Sequence, residues 1–185
     1  MGSGMREGCF MRFVTTTGRR VLTVLALAAS AVATASTTSA SGAGLQNETF
    51  QIQTFAGKCL DVKEQSPADD TPIIQYECAG TVNQQFRITQ VGNGNYEIQT
   101  FAGKCLDVKE QSRADDAPII QYQCAGTANQ QFRITQLDNG NYEIRTFAGK
   151  CLDVERQSDM NDRPIVQYEC FGTNSQQFRF ARIVD

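Results

Sequence analysis

Beyond residue 50 the chain alternates apolar and polar positions in short runs rich in Ile, Val, Phe and Tyr, interrupted by Gly, Asn, Asp and Pro. NYEIQT, KCLDV, PIIQYEC and QQFRITQ each read as a strand with one face turned inward. No stretch here carries the 3.6-residue period of an amphipathic helix, so the expected fold class is all-β. Gly92-Asn93-Gly94-Asn95 and Asp138-Asn139-Gly140-Asn141 supply residues that tolerate positive φ between two strands, and Ala56-Gly57 does the same before Lys58.

The whole pattern is repeated. TFAGKCLDV at residues 54–62 returns unchanged at 100–108 and 146–154, forty-six residues apart each time. Phe50, Tyr96 and Tyr142 lead into the copies, and QQF closes them at Phe86, Phe132 and Phe178. Four strands in each copy predict about twelve strands with pseudo-threefold symmetry, in repeats 50–95, 96–141 and 142–185. Residues 54–99 and 100–145 differ at only seven positions, so the first two copies are expected to present nearly the same surface.

Residues 1–40 stand apart, with four arginines and a single glutamate. Arg12, Arg19 and Arg20 precede an apolar run from Val21 to Val32, and small residues follow it. That is the layout of a secretory signal peptide cleaved after Ala35 or Ala40, with a short linker over 41–49. An apolar run of twelve residues falls short of the roughly twenty needed to span a bilayer, so a secreted, extracellular protein without membrane insertion is expected. Removing the leader leaves 13 basic against 19 acidic residues, a net charge of −6. Such a chain is poorly suited to a phosphate backbone, and no nucleic acid partner is expected. It is expected to be a monomer.

Of seven cysteines, Cys9 lies in the leader and six remain, two per repeat and nineteen apart: Cys59 and Cys78, Cys105 and Cys124, Cys151 and Cys170. Six cysteines allow fifteen pairings. Pairing within each repeat and cyclic pairing between neighbours both respect the threefold pattern, and the first closes the shorter loops. In an exported chain these are disulfides, each contributing about 3 kcal/mol by constraining the unfolded state. With no histidine and no CxxC spacing, neither a metal nor another cofactor is expected.

Strand alternation places Cys59 and Asp61 on one face of CLDV, and Ile74, Tyr76 and Cys78 on one face of PIIQYEC. If Cys59 bonds Cys78, an acidic acceptor and an aromatic ring lie on the same side. A carboxylate beside an aromatic suits a sugar, whose hydroxyls donate to the anion while its C–H face packs on the ring. Taken singly, Tyr76 also fits a core aromatic and Asp61 a turn cap. The acidic pairs Asp69-Asp70 and Asp115-Asp116 flank these faces, as solvated turns or as specificity-tuning loops.

CLDV, an aromatic two places before the second cysteine and a closing Gln-x-aromatic, three times over, resemble the ricin B-type β-trefoil lectins and the related carbohydrate-binding modules of secreted bacterial glycosidases. The family's closing motif is Q-x-W; here it is Gln84-Gln85-Phe86 and its counterparts, with Phe expected to plug the core. The resemblance implies a β-trefoil over 50–185 and a carbohydrate partner of galactose, xylan or arabinan type. It implies a first site of Asp61, Tyr76, Asn83 and Gln84, and a second of Asp107, Tyr122, Asn129 and Gln130. In each, Asp and Asn bond hydroxyls, Tyr stacks and Gln steadies the Asp. A third keeps Asp153, Tyr168 and Gln176, but Ser175 stands where Asn is expected, which implies a weaker or altered pocket. A Gln four places before the second cysteine, common in the family, is replaced by Ile74, Ile120 and Val166.

Repeated identical carboxylate sites lack the asymmetric acid and base that glycoside cleavage needs, and no nucleophile motif occurs, so an enzyme is not expected. The rival to a multivalent lectin is a trefoil scaffold or protease inhibitor making protein contacts.

Overall fold

A computed structural model describes residue 45 and residues 47–184. The leader expected over residues 1–40 lies outside them. The first repeat contributes β1 (Glu48–Gln53), β2 (Cys59–Val62), β3 (Thr71–Tyr76) and β4 (Phe86–Gly92). The second contributes β5 (Asn95–Gln99), β6 (Cys105–Val108), β7 (Ala117–Tyr122) and β8 (Arg133–Gln136). The third contributes β9 (Tyr142–Arg145), β10 (Cys151–Val154), β11 (Arg163–Tyr168) and β12 (Arg179–Arg182). The described residues form no α-helix, only short 3₁₀ turns after each CLDV strand and before each closing Phe.

Six strands close a barrel. β1 pairs with β4, β4 with β5, β8 with β9 and β12 with β1, while bridges at Tyr96–Phe132 and Tyr142–Phe178 complete the ring. The other six form the hairpins β2–β3, β6–β7 and β10–β11. β3, β7 and β11 also pair with one another, so the hairpins meet in a triangle. A six-stranded barrel with a hairpin triplet is the β-trefoil expected from the sequence.

Each closing Phe falls on an inward-facing position, and Phe86, Phe132 and Phe178 are fully buried. Around them pack Leu60, Leu106 and Leu152 from the hairpins and Ile52, Ile98 and Ile144 from the barrel. Burial of each such side chain is worth about 1.5–3 kcal/mol. Leu45 also joins the core and the Asn47 N–H donates to Ile88 O at 2.8 Å, so part of the stretch expected as linker belongs to the fold.

The cysteines pair within each repeat, Cys59–Cys78, Cys105–Cys124 and Cys151–Cys170, with Cα separations of 5.1, 5.0 and 5.1 Å. Each bridge joins the first residue of a CLDV strand to the chain just past the tyrosine of the hairpin's second strand.

The repeats are clasped by residues on the opposite face of the same strands. Gln75, fully buried, donates from Nε2 to Ser158 O and Met160 O at 2.8 and 2.7 Å. Gln121 binds Ser66 O and Ala68 O, and Gln167 binds Ser112 O and Ala114 O, in the same way. Every repeat therefore holds the loop of the one before it, in a closed cycle. Lys104–Asp69 at 2.6 Å and Lys150–Asp115 at 2.7 Å add ion pairs across two of these junctions.

Candidate functional site

The β2–β3 register sets Cys59 opposite Tyr76 and Asp61 opposite Ile74. Residues directly opposed in an antiparallel pair share a face, so Asp61 and Tyr76 lie on one side of the hairpin, diagonal to each other. The same holds for Asp107 with Tyr122 and Asp153 with Tyr168. Tyr76 and Tyr122 are 40% and 43% exposed, while Asp61 and Asp107 are both 6% exposed. The shared side is what alternation together with a Cys59–Cys78 bond implied; that the ring is at the surface and the carboxylate recessed is added by the structure.

Behind each carboxylate a glutamine is locked in place. Gln84 Nε2 donates to Asp61 Oδ2 at 2.9 Å and to Glu77 O at 2.8 Å, and its Oε1 accepts from Ala79 N at 2.8 Å. Gln130 does the same for Asp107 at 2.9 Å, and Gln176 for Asp153 at 2.8 Å. All three glutamines are 1% exposed, so they orient the aspartates from beneath.

Asn83 and Asn129 are buried on the 3₁₀ turns Val82–Gln84 and Ala128–Gln130. Each donates from Nδ2 to the carbonyl at the end of CLDV, Val62 or Val108, at 3.2 Å, and leaves a buried Oδ1 without a partner in the protein. Ser175 takes this place in the third repeat and exchanges a 2.9 Å hydrogen bond with Thr173, and Asp153 Oδ1 is left buried and unpartnered.

Burial pushes the Asp61 carboxyl above its ordinary value; hydrogen bonds from Gln84 and Asn83 pull it partly back, and the charge of Asp162 pushes it up further. Asp107 is raised in the same way, with Gln130 and Asn129 opposing burial and Asp70 adding to it. For Asp153, burial raises the value, the nearby Ser175 hydroxyl and the Gln176 amide lower it, and the charge of Asp116 adds to the rise.

Three concavities open on these groups. One of about 410 Å³ is lined by Asp61, Ile74, Tyr76 and Asn83, with Glu64 and Asp162 at its sides. One of about 500 Å³ is lined by Asp107, Ile120, Tyr122 and Asn129, with Glu110 and Asp70. The third, about 340 Å³, is lined by Asp153, Val166, Tyr168 and Phe171, with Arg156 and Asp116. Ile74, Ile120 and Val166 thus form apolar wall where the family resemblance led one to look for a glutamine.

Two kinds of lining residue were missing from the sequence-based set. Asp162, Asp70 and Asp116 enter each pocket from the neighbouring repeat, on the loop held by Gln75, Gln121 or Gln167. The acidic pairs of the sequence therefore split: Asp69 and Asp115 bind lysines of the next repeat, while Asp70 and Asp116 face its pocket. Glu64, Glu110 and Arg156 follow the CLDV strands with φ of 57°, 57° and 55°. No glycine or asparagine announces that left-handed turn in the sequence. Non-glycine residues in this region cost about 1–3 kcal/mol each and gather at ligand clamps.

The signature of the ricin-type β-trefoil lectin domain matches residues 48–178. The chain belongs to that family. Among solved structures, the designed threefold-symmetric protein ThreeFoil is 36% identical, with a TM-score of 0.72 over 73% of this chain and 99% of that one. An exo-β-1,3-galactanase from Clostridium thermocellum is 29% identical, with a TM-score of 0.72, and the match covers 75% of this chain but only 31% of the enzyme. The C-half of an earthworm R-type lectin, solved in complex with GalNAc, is 19% identical with a TM-score of 0.59, covering 74% of this chain and 99% of that one; at this identity the likeness concerns the fold. No curated protein sequence matches the chain.

Proposed function

We propose that the protein is a secreted lectin that binds carbohydrate in its repeat-related pockets, two of one kind on Asp61 and Asp107 and an altered third on Asp153. The observation that carries this reading is the recessed carboxylate, fixed by a buried glutamine and set beside an exposed tyrosine. Such a carboxylate accepts hydrogen bonds from neighbouring hydroxyls with little reorganisation, and the ring offers a flat apolar surface to the C–H face of a sugar. Membership of a lectin family supports the same ligand class, and three disulfides suit an oxidising, extracellular setting. The likeness to part of an exo-β-1,3-galactanase supports testing galactose-containing glycans first among the galactose, xylan and arabinan types.

Retention of the mature protein on immobilised galactan, xylan and arabinan tests this reading. At least one matrix should retain it, and free oligosaccharide of the same type should release it. A folded protein that passes through all three would turn attention to protein partners.

A further inference from the structure

The third pocket differs from the first two in charge and in aromatic surface. After CLDV the first two repeats carry Lys63-Glu64 and Lys109-Glu110, whereas the third carries Glu155-Arg156. Lys63 Nζ stands 3.8 Å from Asp162 Oδ1, and Lys109 Nζ 3.5 Å from Asp70 Oδ1. In these two pockets the lysine offsets the neighbouring repeat's aspartate. With Lys63 or Lys109 as the one lining cation set against three carboxylates, Asp61 with Glu64, and Asp107 with Glu110, leave each of these pockets net negative.

In the third repeat Glu155 pairs with Arg163, Nη1 to Oε2 3.5 Å, away from the neighbouring aspartate. Arg156 lines the pocket alongside Asp153 and Asp116. Because Glu64, Glu110 and Arg156 share nearly the same backbone φ, one turn presents a carboxylate in two pockets and a guanidinium in the third. The opposite wall changes as well. Ala79 and Ala125 give way to Phe171, which is 64% exposed and has its ring centroid 6.2 Å from that of Tyr168. Tyr168 is half-buried beside it, and the two rings make a broader apolar wall.

We infer that the third pocket is selective for a sugar bearing a carboxylate, while the first two accept neutral sugars and reject anionic ones. This rests on the sugar-binding reading above. A guanidinium holds a carboxylate through two parallel hydrogen bonds, and a glutamate at the same place repels it. Asp153 remains for hydroxyls. Asp116, from the neighbouring repeat, disfavours an anionic group at its own position in the pocket. A protein so built joins two classes of glycan rather than two copies of one.

The test is site-resolved amide NMR on the intact mature protein, titrated with galactose against galacturonic acid and with xylotriose against its glucuronosyl derivative. In each pair whose neutral member binds, that member should shift amides around Asp61 and Asp107. The acidic member should shift those around Asp153 and Phe171 and leave the first two pockets unchanged. Arg156→Glu should weaken acidic-sugar binding at least tenfold, and Glu64→Arg should open the first pocket to it. Amide dispersion in both variants reports that they are folded. Neutral sugars bound with no acidic preference at the third pocket, or acidic binding that survives Arg156→Glu, overturns this inference alone. Absence of shifts with all four sugars overturns the sugar reading and this inference together.

Discussion

Gln84 and Asp61, twenty-three residues apart, meet through a 2.9 Å hydrogen bond that lies wholly beneath the surface. The glutamine amide is tied to three groups at once, so the carboxylate it holds has one orientation. Replacing Gln84 with Met keeps the length of the side chain and removes all three bonds. Leaving the Glu77 carbonyl and the Ala79 amide unpaired should destabilise the fold by about 3 kcal/mol. Chemical denaturation will show this, and first-pocket affinity should fall in the same variant.

Asp61→Asn separates binding from folding. Burial raises this carboxyl's pKa, so its charge at neutral pH works against the folded state. The variant should be at least as stable as the parent at pH 7. It should bind sugar in the first pocket about 10- to 100-fold more weakly, since a hydrogen bond to a charged group contributes about 1.5–3 kcal/mol. Paired melting and titration experiments check both outcomes.

The same shift fixes the sign of the pH response. Asp61, Asp107 and Asp153 are all raised above the ordinary value of 3.8. On acidification the folded protein takes up these protons before the unfolded chain does. The stabilisation linked to the raised values is complete below 3.8 and is lost as the pH rises through the native pKa values. The wild type should therefore gain stability relative to an Asp→Asn variant as the pH falls through this window. Sugar affinity should decline in the same window, above the pH at which exposed carboxylates titrate. Affinity and melting temperature measured across pH 3–7 test both trends.

Much of this was legible in the sequence because the repetition was strict. Three copies at one spacing fixed the number of strands, and the period of two told which side Asp61 and Tyr76 share. The plugging role of Phe86, Phe132 and Phe178 was implied by the resemblance of the closing motif to Q-x-W. The pocket walls were legible only in part: the acidic pairs were seen to flank these faces, but not which aspartate of each pair enters which pocket. Asp162, Asp70 and Asp116 come from another repeat, and their position depends on the mutual pairing of β3, β7 and β11. Alternation showed that Gln75 faces away from Tyr76, but nothing local named Ser158 and Met160 as its partners. The turn at Glu64 is left-handed without glycine, and only the fold reveals it.

Gln75 should couple one repeat to its neighbour's pocket wall. Gln75→Leu removes two hydrogen bonds to the loop that carries Asp162. Hydrogen exchange over residues 158–162 should quicken, and stability should drop by about 1–3 kcal/mol. Affinity should change in the first pocket and stay constant in the second.

Core and crosslinks should respond more bluntly. Phe132→Ala empties a fully buried site and should cost about 3–5 kcal/mol. Replacing Cys105 and Cys124 together with Ala should cost about 3 kcal/mol by freeing the unfolded chain. Equilibrium unfolding of the two variants gives both numbers.

The most direct test of the lectin reading is titration calorimetry with the best-retained oligosaccharide, comparing the parent with the triple variant Asp61→Asn, Asp107→Asn, Asp153→Asn. The parent should bind with a stoichiometry near two for a neutral sugar, and the triple variant should give no binding heat while melting at or above the parent's temperature. Undiminished binding by the folded triple variant would contradict the assignment of these pockets.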